Sequence, residues 1–231
     1  MRTILTNLGK ANLLQQWMAN DIFLGVGSGS ANWFTSRTAS LTFADDNTLN
    51  VGFGYVDTVV VKSADDATTY SLTSDYTVNL TTGVITRAGS GSIAHGATVH
   101  VSFNVNAPPS SPADTALVTP IGYKKITAKS FAELDDAGTV VVDTGTFNLV
   151  FTPTPNLYLS SVLGAGEFAG STIREVGFFV GLTRATGVAG TVNLLLPNQV
   201  ASPGVMLAIK RRTAQIHDGI TEHAYQRVLS L

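Results

Sequence analysis

At 98–105 the residues Val99, Val101, Phe103 and Val105 take every second position. A β-strand sends alternate side chains to opposite faces, so this run predicts a strand with one apolar face to bury. The same logic repeats between residues 40 and 107. Short β-branched runs at 58–62, 75–80 and 84–87 alternate there with turn-forming residues. Several short strands at that spacing predict a β-sandwich. Composition fits: the 231 residues include 22 glycines but only 14 lysines and arginines, and just 13% are charged. Ordinary soluble domains carry about 25% charged residues, so something other than water is expected to cover part of this surface. The length holds one large or two small domains, and either can bury a core.

The formal charge of −2 gives no footprint for DNA or an anionic membrane, which excludes nucleic acid as an expected partner. Without cysteine, neither a disulfide framework nor a thiolate metal site is available. The apolar positions between Arg2 and Lys10 are broken by Thr6, Asn7 and Gly9, and no small-residue cleavage site follows, so the N-terminus does not read as a signal peptide. No run of about 18 apolar residues offers a membrane span. The expectation is a chain made and kept in a cytoplasm until it is assembled, without a membrane partner.

One helix is expected, over residues 3–19, where Ile4, Leu5, Leu8, Ala11, Leu14, Trp17 and Met18 recur at three and four positions. Thr6 and Asn7 offer N-cap oxygens, and so short a helix must lay its apolar side on a sheet. Gly25, Gly27 and Gly29 predict a tight turn after it. Residues 107–112 read APPSSP, a linker without periodicity. Beyond it a second β-rich region is predicted, with strands at 121–131, 138–143, 146–152, 157–162, 173–181, 192–196 and 205–210. Periodicity leaves the tail from 216 to 231 open between strand and short helix.

A search for chemistry finds little. Of four histidines, His217 and His223 with Asp218 and Glu222 form the strongest group. Neither a helix nor one continuous strand lets the two imidazoles grip one metal, so exposed polar residues are expected. His95 and His100 flank a turn. The paired carboxylates Asp45-Asp46, Asp65-Asp66 and Asp135-Asp136 sit in turn-like contexts and lack the calcium-loop pattern. No nucleophile elbow, dinucleotide fingerprint or phosphate loop appears. Lys210, Arg211 and Arg212 close an apolar strand and form a patch suited to an acidic neighbouring subunit. No catalytic residue, metal or cofactor is expected, and the chain does not read as an enzyme.

Three segments resemble the N-terminal attachment domain of phage tail-collar fibres and related baseplate proteins. LTNLGKANLL at 5–14 looks like their "T-N-x-G-K-A-x-L" opening helix. LGVGSG at 24–29 is similar to their "A-V-G-x-G" turn, and IREVGFF at 173–179 to "I-R-E-V/I-G-L-F". The ADTAL at 113–117, which ordinarily follows the turn closely, lies some eighty residues further on, and the gap coincides with the sandwich inferred above. The resemblance therefore implies one attachment-like domain, residues 1–30 plus 112–231, carrying an inserted immunoglobulin-like module at 36–107. It implies a mainly β (α+β) fold of two sandwich-like domains with one N-terminal helix. It also implies a structural subunit of a phage tail, a baseplate or fibre-adaptor component. Its partners would be copies of itself and other virion proteins. A fibre continues into a shaft and tip, whereas this sequence ends at Leu231, which favours the adaptor reading.

The candidate interface or structural residues are Leu5, Leu8 and Trp17 on the helix stripe, Arg174, Glu175 and Phe178 in the third motif, and Lys210, Arg211 and Arg212. In 173–179 each strand face mixes apolar and charged residues, so Arg174 and Glu175 are expected to make buried or interfacial charge-assisted bonds. The alternative is a host-facing module binding a surface receptor or carbohydrate, for which Trp33, Phe34 and Tyr55 are the candidate aromatics.

Overall fold

The computed structural model describes residues 4–43 and 47–231. The Asp45-Asp46 pair and Thr3 lie outside the described residues. The fold is mainly β, with one α-helix among the described residues. The chain divides into two compact units, Met1–Gly29 with Ser110–Leu231, and Ser30–Pro109.

The first unit opens with α1, Asn7–Ala19, capped by Thr6. The Thr6 Oγ1 accepts the Gly9 N–H at 3.2 Å, satisfying one of the donors a helix start leaves open. The apolar stripe goes in only at its C-terminal end. Ala11 and Leu14 are buried and Trp17 and Met18 pack beside them, whereas Leu5 and Leu8 are 50% and 73% exposed. The expectation that the whole apolar side packs on a sheet is corrected accordingly. Next comes β1, Ile22–Gly27, with every residue buried. Gly25 and Gly27 are thus strand residues rather than turn residues, and of the three glycines only Gly29 has a positive φ, 57°.

In the second unit run β2 (Thr35–Thr42), β3 (Thr48–Asn50), β4 (Val56–Ser63), β5 (Tyr76–Asn79), β6 (Val84–Arg87) and β7 (Thr98–Val105). They form two antiparallel three-stranded sheets, ordered β2-β7-β4 and β3-β6-β5. One core serves both, and Val99, Val101, Phe103 and Val105 enter it together as their alternation requires.

The chain then returns to the first unit through β8 (Pro120–Lys125), β9 (Ala128–Leu134), β10 (Val140–Val142), β11 (Gly145–Val150), β12 (Asn156–Leu163) and β13 (Ser171–Val180). It ends with β14 (Thr183–Arg184), β15 (Leu194–Leu195), β16 (Val200–Ser202), β17 (Val205–His217) and β18 (His223–Ser230). Two five-stranded sheets result, ordered β15-β8-β1-β13-β17 and β10-β11-β9-β12-β18. Leu24, Val26, Ile173, Val176 and Phe178 of one meet Phe131, Leu157, Leu159, Leu163 and Leu229 of the other in a shared core. Residues 121–131 form two strands instead of the one expected, because the chain changes sheets between β8 and β9. The undecided tail is strand β18.

Candidate assembly site

β13 carries the IREVGFF segment and lies second from the edge of its sheet, between β1 and β17. Its register against β1 pairs Phe178 with Leu24, Gly177 with Gly25, Val176 with Val26 and Glu175 with Gly27. Two of the motif segments are therefore adjacent strands. Their glycines are there because the packing leaves no room for more. A Cβ on Gly25 would stand 2.6 Å from the Phe179 ring, and one on Gly27 would stand 3.1 Å from the Thr119 carbonyl and 3.2 Å from a Glu175 oxygen. Tyr123 meets Phe179 edge to face at 5.4 Å between centroids, filling the space the glycines leave.

Glu175 is fully buried. A carboxylate so placed is costly unless its oxygens are answered. One accepts the Val118 N–H at 2.8 Å and the other the Arg211 Nε–H at 3.3 Å. Arg211 in turn forks onto Asp114, 3.0 Å to each oxygen, so one guanidinium ties two carboxylates. The ADTAL segment supplies Asp114 and runs directly into Val118. A third motif is thus fastened onto the first two through Glu175 and Arg211. The guanidinium, then the Ser111 N–H, hold the Asp114 carboxyl below its ordinary range. Burial opposes the charge on Arg211, but Asp114 and Glu175 outweigh it and raise its pKa.

Arg174, next to Glu175, sits where β13 and β17 slip register. Its Nη1 donates to the Ser28 carbonyl at 3.2 Å, and its buried Nε has no hydrogen-bond partner among the described residues. Phe178 is a core side chain, and Trp17 packs partly against the same core. The basic triplet divides by strand parity. Arg211 turns into the joint, while Lys210 pairs with Asp143 at 2.8 Å and Arg212 lies over the Tyr225 ring at 6.0 Å. Lys210 first, with Arg227 adding to it, lowers the Asp143 pKa.

The histidine expectation is overturned. His217 is fully buried, and its ring centroid is 4.9 Å from that of His223. They end β17 and begin β18, in different sheets, and the 218–222 turn brings them together. His217 Nε2 donates to the Gly164 carbonyl and His223 Nδ1 meets the Gln215 amide, leaving one buried nitrogen of each ring without a partner. Among the described residues no group of three metal-binding side chains converges. His95 is exposed and His100 pairs with Asp66 at 3.1 Å. Of the candidate aromatics, Trp33 is buried while Phe34 and Tyr55 are 37% and 38% exposed.

The fold and this joint define a β-built protein whose buried charges fasten distant chain segments together. A family model described as "Baseplate wedge 3 tail fiber network component" matches residues 71–231, well over half of the chain, and the chain belongs to that family. It is a structural component of the phage baseplate and tail-fibre network, in the tail of the virion. The matched span takes in 113–117 and 173–179 and leaves out α1 and β1. No curated protein matches the chain.

Proposed function

We propose that the chain is a non-enzymatic baseplate or fibre-adaptor subunit, acting by assembly with neighbouring virion proteins and with copies of itself. The observation that carries this reading is the Glu175–Arg211–Asp114 joint. Its charged groups are spent on one another, and a fully buried carboxylate is out of reach of any substrate. In this reading Trp17, Arg174, Glu175, Phe178 and Arg211 hold the fold, while Leu5, Leu8, Lys210 and Arg212 face neighbours. The 30–109 unit is read as an inserted immunoglobulin-like module.

Imaging of the assembled particle with this chain traced in it tests the proposal. The expected result is Leu5 and Leu8 against a neighbouring virion protein within the baseplate. A chain found at the host-facing tip, with Phe34 and Tyr55 against a saccharide or receptor, would replace this reading by that of a receptor-binding module.

A further inference from the structure

β17 and β18 are edge strands, one of each five-stranded sheet. Between them lies a groove of about 360 Å³ with Val176, Phe178 and Tyr225 in its lining. Lys210, Arg212 and Arg227 line it as well, against a single carboxylate, Asp143. Asp143 takes Lys210 at 2.8 Å and Arg227 at 2.6 Å. Arg212 has no carboxylate partner among the described residues. The groove therefore combines an apolar floor with surplus positive charge. It is bordered by a 13-residue strand whose outer edge pairs with no other strand among the described residues. Such an edge is a template for association.

The chain also carries the complement. Where β9 ends and turns toward β10, Leu134 is 64% exposed between Glu133 and the pair Asp135 and Asp136. Asp135 is occupied by the Ala137 N–H and the Asn148 amide. Glu133 and Asp136 are exposed and have no cation partner among the described residues. Cross-strand register places Leu134 on the same face of its sheet as Leu149, itself 45% exposed. An apolar side chain beside carboxylates that no cation holds matches in sign an apolar groove where Lys210, Arg212 and Arg227 share the single carboxylate of Asp143.

We propose that the groove between β17 and β18 of one copy receives the 133–136 corner of a second copy. Leu134 enters the floor with Asp136 toward Arg212, while Glu133, on the other face of β9, adds to the negative charge that offsets the groove's surplus of Lys210, Arg212 and Arg227. This rests on the assembly reading above and extends it by naming both halves of a self-contact.

Light scattering on the full chain, over a wide concentration range at low and high salt, tests it. The mass should rise above the 24.2 kDa of one chain with concentration at low salt and fall back as salt screens the pairs. Lys210→Glu with Arg212→Glu, and separately Glu133→Lys with Asp136→Lys, should each weaken association by about tenfold or more. Mixing the two reversed variants should restore it. A wild-type chain that stays at monomer mass throughout, a reversal that associates like wild type, or a mixture that fails to recover overturns the proposal. If the groove variant loses its melting transition along with its Asp143 pair, the corner variant, altered only at exposed positions, decides alone. A monomer in solution that is nonetheless traced in the baseplate would refute this contact and leave the assembly reading standing.

Discussion

The two units satisfy their polar groups in different ways. In the 30–109 unit many side-chain bonds are local: Asp65 serves Ser63 and Ala67, Asn79 serves Thr81 and Thr82, and Asn50 serves Gly52. The other unit has local bonds too, at Asp135 and Asp218, but adds bonds that span far longer stretches of chain. Arg211 reaches Asp114 across 97 positions, Lys129 reaches the Asn20 carbonyl across 109, and Arg174 reaches Ser28 across 146. The first arrangement, its longest bonds such as Ser36 to Asn104 across 68 positions included, closes within one uninterrupted stretch of chain. The second is complete only when segments on both sides of the intervening unit have met, and such non-local contacts cost more closure entropy before they are rewarded. Loss of one long-range charge should therefore hurt the discontinuous unit alone.

Arg211→Met gives the largest expected effect. It leaves Glu175 buried with only the Val118 N–H, a loss of about 3–5 kcal/mol for a broken buried pair. Of the two tryptophans, Trp17 lies in the discontinuous unit and Trp33 in the other, so single-tryptophan variants report each transition in denaturant separately. The Trp17 transition should move and the Trp33 transition should not. A common shift would show one cooperative body and break the contrast. Acid provides a second readout. The Asp114 pKa is lowered by folding, so its contribution is present above the unfolded value of about 3.9 and is lost as pH falls through the lower folded value. Arg211→Met should remove the guanidinium's share of that acid-sensitive part from the Trp17 transition and leave the smaller share held by the Ser111 N–H.

Gly25→Ala is expected to cost less, about 1–3 kcal/mol, because the new methyl overlaps the Phe179 ring and forces repacking. Phe179→Leu in the same chain should recover part of the loss. At Gly96, in the other unit, a Cβ would meet nothing within 4 Å and the φ is +70°, so Gly96→Ala strains only the backbone. No core substitution should rescue it. Equal rescue at both sites, measured by denaturant midpoints, would mean that crowding is not what selects glycine in β1.

Legibility in the sequence follows the same divide. The face made by Val99, Val101, Phe103 and Val105 could be read because a buried strand face declares itself within eight residues. β2 could not, since TSRTASLT has no buried residue and is held as a strand by pairing with β7. In the site, Glu175 was legible as a charge needing a buried partner, but Arg211 was hidden inside a basic triplet. The period of two is the signal that separates it from Lys210 and Arg212. The His217 and His223 pair depends on a chain reversal. Asp218-Gly219 is the turn dipeptide that marks it. Asp218 accepts the Thr221 and Ile220 N–H groups, which lower its pKa to about 2, and Gly219 takes a φ of +80°. The Asp114–Glu175–Arg211 arrangement has no local signature, because Glu175 and Arg211 meet only as cross-strand partners of β13 and β17 and Asp114 comes from the loop before β8.

Leu8→Asp should change stability least. Leu8 is 73% exposed, so the substitution buries no charge, and exposed replacements commonly stay within about 0.5 kcal/mol. It also falls in the first turn of α1, which has no acidic residue, and a carboxylate there is favoured by the unpaired N–H groups of the helix start. The Trp17 transition should therefore hold or rise slightly. Assembly should respond differently if the exposed Leu5 and Leu8 pair meets a neighbour, because a carboxylate in an apolar contact is left without a partner. Incorporation of the variant into particles, measured beside its melting temperature, separates the two. Unchanged melting with reduced incorporation assigns the helix start to an interface. Unchanged incorporation makes it ordinary surface, and a marked fall in melting temperature would mean that Leu8 is buried within the unit after all.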